Sequence, residues 1–228
     1  IAKLDAMVFN VGAPDEWIEE VLPDLSQQPN LAADIRALRR SLLALKCKIT
    51  GMSIQRGIFH QILIDSPLST FNAFYYASGN FMNILPAFIM PPAYDGQQNE
   101  AHNFATMTVW GHEITHGFDT EGAKYNTVGD LGSLWASDAD SQEFQRRTGR
   151  LAALYSSYDV MPLEAGVKAD GDYTLAENVA DLGGFLIAYD AYADYLDSHG
   201  FKGDGRRLQL QRFYQAVAYM FCAKWTAE

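Results

Sequence analysis

Cysteine is nearly absent. Only Cys47 and Cys222 occur in 228 residues, too few for a disulfide scaffold, and neither stands at a spacing used for metal ligation or redox exchange. Long apolar runs are missing as well. The longest, around Ile84 to Tyr94, is interrupted by Pro86, Pro91 and Pro92, so no segment is long enough to span a bilayer as a helix. An excess of positive charge is also lacking: Lys and Arg number 17 against 28 Asp and Glu, a formal net charge of -11. That balance excludes a nucleic-acid backbone as the main partner, because phosphate binding needs a basic face. The pairs Arg146-Arg147 and Arg206-Arg207 read as solvated helix faces. Neither a signal peptide nor an initiator Met is present. Ile1 and Glu228 both fall within ordinary domain sequence, which is expected of a piece of something longer.

The chain does hold enough apolar residues, 48% of the total, for a sizeable buried core in one or two domains. Leu31, Ile35, Leu38, Leu42 and Leu45 recur at helical spacing, which predicts an amphipathic helix over 31–48. Pro14, Asp15 and Glu16 before Trp17 predict the opening of an earlier short helix that Pro23 limits. The β-branched and aromatic residues between Ser69 and Tyr76 favour a strand, which Ser78, Gly79 and Asn80 then turn. Helices are expected over 103–118 with Asn103 as cap, over 138–158, over 175–196 and over 206–225; 120–130 is loop. The fold class is therefore mainly α with a small β-sheet, an α+β arrangement.

His112-Glu113-Ile114-Thr115-His116 sets two imidazoles four residues apart, on one face of a helix where both can reach one ion. Glu113 lies beside that face, placed to take a proton from a water whose pKa zinc lowers towards ~7. A catalytic zinc ion normally has three protein ligands, so a third is needed. Glu177 is the best candidate. It opens the 175–196 helix, and Asp181 stands one turn further on the same face, where it can accept a hydrogen bond from a ligand imidazole and fix its tautomer. Thr174-Leu175-Ala176-Glu177 also matches a capping box, in which Glu177 would only reach back to the Thr174 amide. Asp119 reads equally as support for a ligand or as a loop cap. Gly183 and Gly184 are expected to permit close helix packing.

At these residues the sequence resembles the neprilysin and endothelin-converting-enzyme family of zinc endopeptidases, in its bacterial oligopeptidase O-like form. The signature is similar to His112 through Asp119. Lys3-Leu4, Phe9 to Gly12 and Pro14 to Trp17 look like the segment that opens the family's catalytic domain, and Asn72 to Tyr75, Pro86-Ala87 and Pro91-Pro92 like its substrate strand and following loop. The resemblance implies that residues 1–228 form an incomplete thermolysin-like gluzincin catalytic domain. It implies one zinc ion held by His112, His116 and Glu177, Glu113 as general base, Asp181 as the orienting aspartate, and Asn72 with the Ala73 backbone holding an extended peptide. An apolar pocket for the residue after the cut is implied too; Val109 lines it or serves the core.

The implied partners are peptide substrates and the rest of the parent polypeptide, a helical domain and a C-terminal segment. Family members carry a downstream His and Arg that stabilise the oxyanion and the domain, so the isolated chain is expected to be weakly active or inactive. A non-catalytic zinc- or peptide-binding fragment is the alternative. The low cysteine count fits a bacterial member. The resemblance implies an extracytoplasmic place, secreted or in the cell envelope, with the cytoplasm still open.

Overall fold

The structure, a computed structural model, describes residues 1–13, 23, 26, 29–49, 69–132, 134–135, 137–160 and 166–222. Its elements are α1 (Ala2–Asp5), β1 (Val8–Val11), α2 (Leu31–Ile49), β2 (Ala73–Tyr76), β3 (Phe81–Ile84), α3 (Glu100–His116), α4 (Asp138–Tyr155), α5 (Leu175–Ser198) and α6 (Gly203–Met220). This is the mainly helical arrangement with a small sheet that the sequence predicts. The short helix expected at Pro14 and the far end of the last helix at Trp225 lie outside the described residues.

The sheet runs β1-β3-β2, with β3 parallel to β1 and antiparallel to β2. Phe81, Met82 and Ile84 are all but fully buried, and Asn10 and Asn83 join across β1 and β3 at 2.8 Å. The β2–β3 turn closes on Asn80, whose φ of +48° lies in the left-handed region that Asn tolerates better than most residues. Its buried side chain accepts from the Tyr75 hydroxyl and donates to the Lys3 and Thr127 carbonyls. Strand β2 is four residues, shorter than the expected Ser69–Tyr76 run.

Helix α3 is the axis of the fold. It begins at Glu100, earlier than predicted, because Asn99 is the cap and accepts from the Ala101 N–H. Asn103 instead exchanges hydrogen bonds with the Asp95 backbone, pinning the incoming loop. One face of α3, through Val109, Trp110 and Ile114 and with Phe118 just past its end, packs on Met82 and Ile84 of the sheet and on Phe88 of the segment that follows it. The other meets α5, and Ala101, Ala105, Ala188, Tyr192, Leu196 and Phe213 form a second core shared with α6. Gly111 and Gly184 meet at the α3–α5 crossing, where a Cβ on Gly111 would come within 2.8 Å of the Gly184 Cα. Close packing is thus the reason for that glycine, as expected.

Helix α2 forms as predicted, yet Leu31, Ile35, Leu38 and Leu42 of its apolar stripe are exposed. No helix among the described residues is long and apolar enough to cross a membrane.

Candidate metal centre

The last turns of α3 carry His112 and His116, whose rings stand edge to face at 88°. Their Nε2 atoms are 2.9 Å apart, and Glu177 Oε2, from the first turn of α5, lies 3.3 Å from the first and 3.6 Å from the second. These three donors are a group able to hold a metal ion. The α3–α5 glycine contact lies beside His112, so the same close packing that joins the helices brings Glu177 over the histidines.

Each imidazole is held from behind. His112 Nδ1 meets Asp181 Oδ1 at 2.8 Å, and His116 Nδ1 meets Asp119 Oδ2 at 2.6 Å. An ionised carboxylate only accepts, so each Nδ1 carries a proton and each Nε2 is turned toward the other. When both imidazoles are neutral, two lone pairs and a carboxylate oxygen this close repel one another, and a proton or a metal cation among them removes the repulsion. Donors in a tetrahedron around an ion ~2.0–2.1 Å away should be ~3.3 Å apart, and the observed separations bracket that value. The donor types and their spacing fit zinc.

Asp119, 1% exposed, also accepts the backbone N–H groups of Glu121 and Gly122, both at 2.7 Å. It is thus at once the histidine's partner and the cap of the following turn, the two readings that the sequence leaves open. The capping box does not form. Thr174 donates to the Asp170 carbonyl and accepts from the Asn178 amide, and its side chain makes no cap bond. Glu177 is left facing the histidines.

Burial is the main cause that raises the pKa of His116's neighbour Glu113, which is 6% exposed; His112 and His116 oppose the rise, and Glu177 adds to it. For His116 itself burial acts downward, but the hydrogen bond and charge of Asp119, then Glu113 and Glu177, outweigh it and raise the pKa.

Strand β2 forms the opposite wall. The Leu85 N–H donates to the Asn72 carbonyl, which sets Asn72, Phe74 and Tyr76 in the positions bonded to β3 and turns the N–H and C=O of Ala73 and Tyr75 outward. The outward Tyr75 N–H bonds to Glu113. The Ala73 N–H is accepted by its neighbour's Asn72 Oδ1 at 2.9 Å. A cleft of about 410 Å³ is lined by Asn72 to Ala77, His112, Glu113, His116, Asp119 and Glu177. Beside it, a second hollow of about 320 Å³ is lined by Phe88, Val109, Asp181, Phe185, Val217 and Phe221 and shares Asn72, His112 and Glu113 with the first. Val109 both lines this hollow and packs on the core.

Every site residue expected from the sequence is therefore gathered at one place. Sequence reasoning missed the Tyr75 N–H, a backbone group that no side-chain pattern reports, and the contribution of Val217 and Phe221, whose three- and four-residue steps signal a helix and not a site.

A model of peptidase family M13 matches residues 72–228. Human endothelin-converting enzyme-like 1 is 32% identical over 231 residues, which cover 98% of this chain and 29% of that protein. Human neprilysin is 35% identical over 162 residues, covering 69% and 21%. Among solved structures, the Mycobacterium tuberculosis zinc metalloprotease ZMP1 in complex with inhibitor is similar with a TM-score of 0.79 and 30% identity, over 95% of this chain and 33% of that one. The chain thus spans a third or less of the length of these relatives.

Proposed function

This chain belongs to peptidase family M13, and from that premise we propose that the protein carrying it is a zinc endopeptidase that hydrolyses internal bonds of short peptides. The observation that carries the reading is the convergence of His112 Nε2, His116 Nε2 and Glu177 Oε2 beside the buried Glu113, under the outward edge of β2. Residues 1–228 are, in this reading, part of its catalytic domain.

A zinc ion on His112, His116 and Glu177 would supply Lewis acidity to the scissile carbonyl and a lowered pKa to the attacking water. Asp181 and Asp119 hold the two imidazoles in the tautomer that offers Nε2. Glu113 takes the proton from the attacking water and then passes it to the leaving amine. Its raised pKa suits the second half of that task, and the Tyr75 N–H keeps the carboxylate aimed into the cleft. The Ala73 carbonyl, turned away from β3, accepts an N–H from an extended peptide, and the Asn72 carboxamide adds a side-chain contact. Such main-chain pairing holds a peptide without reading its sequence. The hollow between Phe88, Val109, Phe185, Val217 and Phe221 suits an apolar side chain next to the cut.

Glu113→Gln is the decisive variant. It should keep zinc at one ion per chain by metal analysis and lower turnover of a quenched peptide by ~10²–10⁴-fold, the range for a lost general base. Retained hydrolysis would end the assignment. A wild-type protein that binds zinc and peptide without cleaving would favour the non-catalytic alternative.

A further inference from the structure

Lysine is seldom fully buried, yet Lys3 is 1% exposed and stands outside the chemistry described so far. Its ammonium reaches across the fold to the turn that follows the metal helix, donating to the Gly122 carbonyl at 2.6 Å and the Tyr125 carbonyl at 2.8 Å. It also lies 6.0 Å from the centre of the Phe118 ring. Burial pushes its pKa down to about 8, partly offset by the charge of Asp119, so it stays protonated at neutral pH.

The turn it grips is the one that holds a metal-ligand imidazole. The Gly122 residue that accepts from Lys3 through its carbonyl donates through its N–H to Asp119 Oδ1, and Asp119 Oδ2 bonds His116 Nδ1. Gly122 lies hard against the end of α3: a Cβ there would collide with the His116 carbonyl and come within 2.9 Å of the Gly117 carbonyl carbon. There is little slack between the two. The backbone carbonyl of Lys3 further accepts from Asn80, which bonds Tyr75, the residue whose N–H orients Glu113.

We propose that Lys3 is a positioning residue for the metal site, fixing through the Gly122 turn the Asp119 carboxylate that orients His116. The inference rests on the zinc reading above. The Lys3 ammonium also polarises the Gly122–Ala123 peptide group, whose N–H donates to the Asp119 backbone carbonyl at 3.0 Å, since hydrogen bonds in a chain strengthen one another.

The test uses Lys3→Met, Asp119→Asn and the double variant in the full protein. Zinc affinity is measured by chelator competition and ligand geometry by the visible spectrum of the cobalt-substituted protein, with zinc-free melting temperatures as the check on folding. Asp119→Asn should weaken zinc binding by ~10–100-fold, as removal of a ligand's partner does, and Lys3→Met by about 10-fold with a shifted cobalt band. The double variant should be no weaker than Asp119→Asn alone, because Lys3 acts through Asp119. If Lys3→Met fails to fold, Lys3→Gln replaces it with the same expectations. Unchanged zinc affinity and cobalt spectrum, or losses that simply multiply in the double variant, would overturn the inference while leaving the zinc site intact. A wild-type protein that binds no zinc would overturn the proposed function itself, and the inference with it.

Discussion

Replacing Gly184 by Ala adds one methyl group at the α3–α5 crossing. On the existing backbone that Cβ would lie 2.5 Å from the His112 nitrogen and 2.9 Å from the His112 Cα, and would collide with the Thr108 carbonyl. Every neighbour is helix backbone, so no side chain can swing aside. Ordinary contact begins at 3.4 Å, which means the helices must part by roughly 1 Å in an interior packed as tightly as a crystal. Overpacking of this kind costs ~1–3 kcal/mol. The larger effect falls on the donors: Glu177 rides on α5 and the histidines on α3, so separations of 3.3 and 3.6 Å would open beyond what one zinc ion can bridge, since sites need their geometry kept to ~0.5 Å. Chelator competition should show zinc affinity reduced at least ~10-fold, and thermal melting a less stable protein. Gly149→Ala is the control. That glycine sits in α4 with nothing near its added methyl, and the change should stabilise by ~0.5–1 kcal/mol without touching zinc. A Gly184→Ala protein with wild-type zinc affinity and melting temperature would refute the link between helix packing and the metal site.

Asp181→Asn removes the carboxylate behind His112 and should weaken zinc binding by ~10–100-fold, read by the same competition. Phe213→Ala empties a fully buried position in the α3–α5–α6 core and should cost ~3–5 kcal/mol in urea unfolding. Lys3 sets a pH dependence whose sign follows from its lowered pKa. Between about 8 and 10.5 the unfolded chain holds this proton more often than the folded one, so the Lys3 contribution to stability rises with pH across that window. Comparing urea midpoints at both ends, wild type should gain relative to Lys3→Met; parallel curves would contradict a buried, charged Lys3.

How much of this is legible in the sequence depends on how local the information is. The two histidines are fixed by a four-residue spacing that any helix converts into a shared face, so they could be placed without tertiary knowledge. Glu177 could not be decided alone, because the capping box that its neighbours spell is a real local alternative; the Thr174 hydroxyl removes that alternative by bonding Asp170 and Asn178 instead. Strands β1 and β3 escape notice because each is four residues long, and the parallel pairing between them spans some seventy positions of chain. Lys3 is the extreme case. Its partners lie 119 and 122 residues away, and nothing near it in the sequence marks it as buried. The helix start slips from Asn99 to Asn103 for a simpler reason: both are plausible caps, and only the contact of Asn103 with the Asp95 backbone separates them.

The Tyr75 N–H that bonds Glu113 has a consequence beyond aim. Strand β2 is an edge among the described residues, and an open edge invites any extended chain to add on and continue the sheet. Of the two residues that turn outward, Tyr75 has its donor occupied by Glu113 and Ala73 has its donor occupied by Asn72. What remains is a row of acceptors. The backbone of this edge holds a chain laid along it through that chain's own N–H groups, so a second copy of the edge, equally short of free backbone donors, is a poor match.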